Sequence, residues 1–102
     1  NYLKKHGYTI LHCNWRCRRK EVDCIALKDD IVVFVEIKTR SHFGFGFPEE
    51  AVHTGKQRFL KQAAEVWMDQ HPGYTELRFD ILSILMEGDM VREILHIEDA
   101  FF

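Results

Sequence analysis

The chain has 102 residues, 46% of them hydrophobic and 29% charged, with a net charge of −2. That length supports one domain over residues 1–102 with a single modest core, and it excludes two domains. The composition excludes a disordered chain, and the slight acidity excludes a protein that coats nucleic acid with its whole surface.

The average conceals an asymmetry. Residues 1–40 carry nine Lys/Arg against five Asp/Glu, whereas residues 41–102 carry five against eleven. A polyanion would therefore meet the first half of the chain, as a local patch. The longest apolar run, Ile31 to Val35, is too short to cross a bilayer, so no membrane association is expected. No basic stretch followed by an apolar segment opens the chain, so no secretory leader is expected. Three cysteines are an odd number and suit reduced thiols in the cytoplasm.

Residues 2–6 read as the last turn of a helix, truncated at its start, with Gly7 as the left-handed stop. Tyr8 to Trp15 is rich in aromatic and β-branched residues and reads as a strand, followed by a basic turn from Arg16 to Lys20. Two further strands are expected at Glu21–Lys28 and Ile31–Lys38, joined at Asp29-Asp30. Residues 41–48 form a glycine-punctuated loop. The clearest helix is Lys56 to Gln70, where Leu60, Ala63, Ala64, Trp67 and Met68 make one apolar stripe. Thr54 and Gln57 have the spacing of a capping box, and Pro72-Gly73 ends the segment. Strands at Leu77–Met86 and Val91–Ile97, separated by Glu87-Gly88-Asp89, complete the chain. A meander is antiparallel, whereas a long helical crossover returns the chain parallel to the strand it left. The expected fold is α/β: a mixed sheet with an antiparallel three-strand meander, a crossover helix and two further strands.

The hairpin at Asp29-Asp30 carries most of the chemistry. A turn centred there pairs Lys28 with Ile31, Leu27 with Val32 and Ile25 with Phe34. Continuing the count sets Asp23 opposite Glu36 and Glu21 opposite Lys38, with positions 21, 23, 25 and 27 on one face. Directly opposed Cβ atoms lie about 4.5–5.5 Å apart, so the two carboxylates would nearly touch, with an ammonium one pleat away. Two such acids beside Ile25, Leu27, Val32 and Phe34 repel each other and lose solvation. A shared proton, the lysine, or a hard divalent cation can each compensate. With Mg²⁺ bound, a coordinated water becomes a better nucleophile, and Lys38 could orient it or stabilise developing phosphoryl charge. The plain alternative is a surface ion-pair ladder. Against it, Val22, Cys24 and Ala26, with Val33, Val35 and Ile37, make the other face look covered as well.

Asp23 followed by Glu36-Ile37-Lys38 resembles the PD-(D/E)XK nuclease signature. More closely, several segments resemble the YraN family of small bacterial proteins, in order along almost the whole chain. They are Asn14-Trp15-Arg16, Glu21-Val22-Asp23, Val33 to Arg40, Pro48 to Val52, Lys56-Gln57, Arg78-Phe79-Asp80 and His96 to Phe101. The resemblance implies a restriction-endonuclease-like core hydrolysing nucleic-acid phosphodiesters, DNA favoured, with Mg²⁺ or Mn²⁺. It implies Asp23 and Glu36 as metal ligands with the main-chain carbonyl of Ile37, and Lys38 as catalytic base or charge stabiliser. Many superfamily members supply a further acid from the first helix, only the end of which is present in this sequence.

Arg16, Arg18, Arg19 and Lys20 lead into the acidic strand and are candidates for holding a phosphate backbone, a solvated turn being the alternative. Arg40 is a further phosphate candidate. Gln57 matches a glutamine that superfamily relatives bring to the active site, or else completes the capping box. Lys56 reads as a surface residue able to contact phosphate. Phe43, Phe45 and Phe47 alternate with glycines and could stack on unpaired bases or form a subunit contact. His12, Cys13, Cys17 and Cys24 match no common zinc spacing. Arg78 and Asp80 share a strand face and read as a structural ion pair, the resemblance offering Asp80 as a neighbour of the site instead. The chain is therefore expected to be a nuclease, with a catalytically silent nucleic-acid-binding domain and a protein-interaction or homo-oligomerising module as alternatives.

Overall fold

The computed structural model describes residues 2–41 and 54–101. The segment from Phe43 to Phe47, expected to be a loop, lies outside them. Helix α1 (Tyr2–Lys5) leads to strands β1 (Thr9–Cys17), β2 (Lys20–Lys28) and β3 (Ile31–Arg40), then helix α2 (Thr54–Gln70) and strands β4 (Glu76–Glu87) and β5 (Met90–Ile97). The five strands form one sheet in sequence order, with β3 and β4 parallel and the other neighbours antiparallel. This is the mixed sheet that the meander and crossover predict. No helix among the described residues is long and apolar enough to cross a membrane.

The local signals hold at the turns. Gly7 adopts φ +86°, and a Cβ there would stand 2.6 Å from Lys28 Nζ, which itself donates to the His6 carbonyl at 2.6 Å. The positive φ is what calls for glycine here, since the lysine end could shift aside at the loss of its bond to His6. Asp29 and Asp30 take φ 50° and 66°, the paired left-handed conformation of a two-residue hairpin turn. Strand β1 runs to Cys17 and β2 begins at Lys20, so Arg16 and Lys20 stand on strands and the turn itself is Arg18-Arg19. Thr54 belongs to α2 rather than standing ahead of it, so it does not occupy the N-cap place that the capping box gave it.

Each face of the sheet carries its own core. On one, α2 presents Phe59, Leu60, Ala63, Ala64 and Trp67 to Val22, Ile25, Val32, Phe34, Phe79 and Ile81. On the other, Leu3 and Tyr8 meet Cys24, Ala26, Val33, Val35 and Leu82. Strand β3 lies between the two, which is why its apolar run is unbroken.

The face alternation of β2 needs one correction. Ile25 lies on the α2 face and Cys24 and Ala26 on the other, as alternation requires, but Val22 joins Ile25 on the α2 face. The pleat therefore slips between Val22 and Cys24. The slip coincides with irregularity in β1, whose register shifts between Ile10 and His12 and whose Asn14 has φ 51°. A residue in the left-handed region interrupts the pleat of an edge strand and kinks its partner.

Phe34 is fully buried, with its ring 6.0 Å from Trp67 and 5.6 Å from Phe79. Replacing it by alanine should cost about 3–5 kcal/mol, the usual penalty for emptying an aromatic site in a core. A urea denaturation midpoint checks this. A loss below about 1 kcal/mol would show that the α2 face is not the main core.

Candidate metal centre and nucleic-acid interface

The β2–β3 ladder follows the predicted register for five pairs and ends at Cys24 opposite Val35. Asp23 and Glu36 are therefore not a ladder pair, and neither are Glu21 and Lys38. Instead the Ile37 amide donates to Asp23 Oδ2 at 2.8 Å, so the carboxylate takes the place of the next backbone rung. Asp23 sits at the corner where the two strands part and lines a groove on the α1 face with Cys24 and Ile37, and from there its charge still acts on Glu36.

Glu36 stays on the α2 side, in line with Val32 and Phe34, and is only 4% exposed. Two lysines reach it: Lys38 Nζ lies 3.7 Å from Oε1 and Lys56 Nζ 3.5 Å from Oε2. Both distances are long for hydrogen bonds, and Oε2 has no hydrogen-bond partner among the described residues. Burial holds the Glu36 carboxyl above its ordinary value and the Asp23 charge adds to this, while Lys56 and Lys38 pull it down. The net effect is a carboxylate short of positive charge.

Lys56, read as a surface residue in the sequence, belongs to this site. Its Nζ donates to the Glu21 carbonyl at 3.3 Å and lies 5.1 Å above the Phe59 ring. Extending the α2 stripe back one turn from Leu60 lands on position 56, the signal that could have found it. Gln57 is half-buried on the same turn. Arg40 is at the end of β3, in register with Leu85, and half-buried.

The basic residues divide. Arg16 is engaged with Glu21 at 2.9 Å on an exposed surface. Arg18, Arg19 and Lys20 line a groove of about 390 Å³ against the start of α2, where Arg58, which the sequence reading did not single out, adds a fourth cation. Lys20 covers the Phe59 ring from 5.6 Å, so Phe59, flanked by Lys20 and Lys56, joins the groove to Glu36.

Asp80 is structural. Fully buried, it accepts from Arg78 Nε at 2.9 Å and from the Asp99 amide at 3.0 Å, with His96 Nε2 at 2.7 Å. Arg78 also donates to the Tyr8 hydroxyl at 2.6 Å. Burial pushes the Asp80 carboxyl up, but the His96, Arg78 and Asp99 hydrogen bonds outweigh it and leave the carboxyl below its ordinary value. Cys13, Cys17 and Cys24 are free, and burial pushes the Cys24 thiol up to about 11.

No cluster of three or more His, Cys, Asp or Glu able to hold a metal forms among the described residues. Asp23 and Glu36 suit a hard ion. Two hard carboxylates, one with an orphaned buried oxygen, fit a divalent cation of the magnesium kind that completes its shell with water.

The chain matches the model of "Uncharacterised protein family UPF0102" over residues 1–84. It is 43% identical over 104 residues to a UPF0102 protein of Caldicellulosiruptor bescii, covering 99% of this chain and 87% of that one. A UPF0102 protein of Syntrophomonas wolfei is 46% identical over 101 residues, covering 98% and 87%. One of Chloroherpeton thalassium is 40% identical over 108 residues, covering 98% and 84%.

The two buried acids should respond to pH with opposite signs. Glu36 binds its proton more tightly folded than unfolded, so stability falls as pH climbs above 4.5 through its raised value. Asp80 binds its proton less tightly folded, so its contribution is complete above 3.8 and is lost as pH drops through its lowered value. Between acid and neutral pH, the stability of Glu36→Gln relative to the native protein should therefore rise. Asp80→Asn should cost about 3–5 kcal/mol near neutrality and progressively less in acid. Urea midpoints taken across this range, with the same sign for both variants, would overturn the assignment.

Proposed function

The chain belongs to UPF0102, the YraN family whose motifs its sequence carries, and we propose that it is a metal-dependent nuclease acting on nucleic acid, DNA first. The observation that carries this reading is Glu36: a buried carboxylate with an unsatisfied oxygen, acted on by the Asp23 charge and set between two lysines. A purely structural acid at that depth would be expected to be satisfied, as Asp80 is.

Asp23 and Glu36 would hold Mg²⁺ or Mn²⁺, with the Ile37 carbonyl as the third protein ligand that the family resemblance implies. Such a cation polarises a phosphoryl oxygen and makes bound water a stronger nucleophile. Lys38 is partly exposed and reaches Glu36 Oε1, so its ammonium can orient a water or offset charge on a reacting phosphate. Lys56, 3.5 Å from the other Glu36 oxygen, would offset part of its charge without a close hydrogen bond. Gln57, on the same turn, would assist, as the family resemblance implies. Arg18, Arg19, Lys20 and Arg58 would carry the phosphate backbone along their groove. The three unpaired thiols suit a reducing cytoplasm.

One observation favours a second reading. Only two acidic side chains converge among the described residues, so a nucleic-acid-binding domain without turnover would use the same groove.

Titrating Mn²⁺ into the native protein, Asp23→Asn and Glu36→Gln over a panel of duplex, branched and single-stranded DNA and RNA separates the two. The nuclease reading requires Mn²⁺-dependent cleavage that each variant lowers by more than about a hundredfold while staying folded, exceeding the usual loss for an outer-sphere partner. Shifted but intact nucleic acid at saturating Mn²⁺ would establish the silent binder. In either case Arg18→Ala and Arg58→Ala should each reduce the slope of log affinity against log salt by about 1.

A further inference from the structure

Cys13 and Cys24 stand directly opposite one another in the β1–β2 register. Opposed residues in an antiparallel pair have Cα atoms about 4.5–5.5 Å apart, inside the range of about 4.4–6.8 Å that a disulfide spans. As opposed residues they project to the same face, the α1 face on which Cys24 packs, and both line a groove of about 580 Å³ there. The thiols are near enough to interact. Cys13 is exposed and Cys24 is 4% exposed, which gives the pair one accessible and one sheltered sulfur. Cys17 lies on the opposite face, against the α2 core, and provides an internal control.

We propose that Cys13 and Cys24 form a reversible redox pair, a modification site that closes to a cross-strand disulfide on meeting an oxidised low-molecular-weight disulfide. The Cys13 thiolate attacks one sulfur of that reagent, forming a mixed disulfide and expelling one thiolate. Cys24 then loses its proton and attacks the Cys13 sulfur, forming the protein disulfide and releasing the second thiol. Two protein thiols are oxidised and one reagent disulfide is reduced to two thiols, so electrons and protons balance.

The location gives the bond a consequence. Cys24 is the last residue of β2 in the ladder with β3 and adjoins Asp23, which holds the Ile37 amide. Strand β1 is an edge strand already bent at Ile10–His12 and at Asn14. Closing the disulfide pins this irregular strand to β2 at the residue beside Asp23 and restrains opening of that corner. The pair's formation does not depend on the nuclease reading, since it rests on strand register alone.

The test treats the full chain with oxidised glutathione, alkylates the remaining thiols and maps the peptides. The expected result is a single Cys13–Cys24 link, loss of two of the three reactive thiols, and full reversal by dithiothreitol. Cys17→Ser should behave like the native protein, and Cys13→Ser should form no internal link. Amide hydrogen exchange at Ile37 should slow in the oxidised form. The proposal is overturned by links through Cys17, by a stable glutathione adduct on Cys13, by the same pairing preference in urea, or by unchanged exchange at Ile37 once the link has formed.

Discussion

A carboxylate does the work of a backbone rung where β2 and β3 separate. The Ile37 amide would lose its partner at the end of the ladder, and Asp23 supplies one at 2.8 Å. That contact fixes where one Asp23 oxygen points, and the Asp23 charge acts on Glu36. Everything acidic about the site follows from it, because Glu36 alone would be a buried acid between two lysines, an ordinary if poorly satisfied ion pair. The parallel pairing of β3 with β4, imposed by the α2 crossover, holds the other side of β3 and lets the strand part from β2 without losing its place.

Two acids on neighbouring strands show how much partners matter at equal depth. Asp80 and Glu36 are both nearly inaccessible. Asp80 receives a guanidinium, an imidazole and a backbone amide, all between 2.7 and 3.0 Å. Glu36 receives two ammonium groups at 3.5 and 3.7 Å, and one of its oxygens has no hydrogen-bond partner among the described residues. Desolvation penalises both, and only Asp80 is repaid by close donors. The one acid ties the sheet to its last turn. The other has no such close donors.

Much of this was legible in the sequence. The Asp29-Asp30 turn set the register of five pairs, and the stripe on α2 located the face that covers Phe34. The register failed at the sixth pair because a residue count assumes an unbroken pleat, and Asn14 on the neighbouring strand breaks it. Asp23 instead accepts from the Ile37 amide, and only its charge reaches Glu36. Lys56 was misjudged because its polarity outweighed its place on the apolar stripe. The partnership of Asp80 with His96 was hidden because His96 is in register with Leu82, leaving Asp80 a diagonal neighbour that pair counting does not reach.

The last turn of the chain is bound as firmly as a strand. Ala100 donates its amide to the Phe79 carbonyl at 2.7 Å, Asp99 donates to Asp80, and the Phe101 ring stacks on Phe79 at 5.5 Å. These residues act as a latch over β4. A protease cut or a fused tag immediately after Ile97 would therefore be felt in the interior, stripping a donor from a sealed anion and a ring from the hydrophobic layer beneath α2.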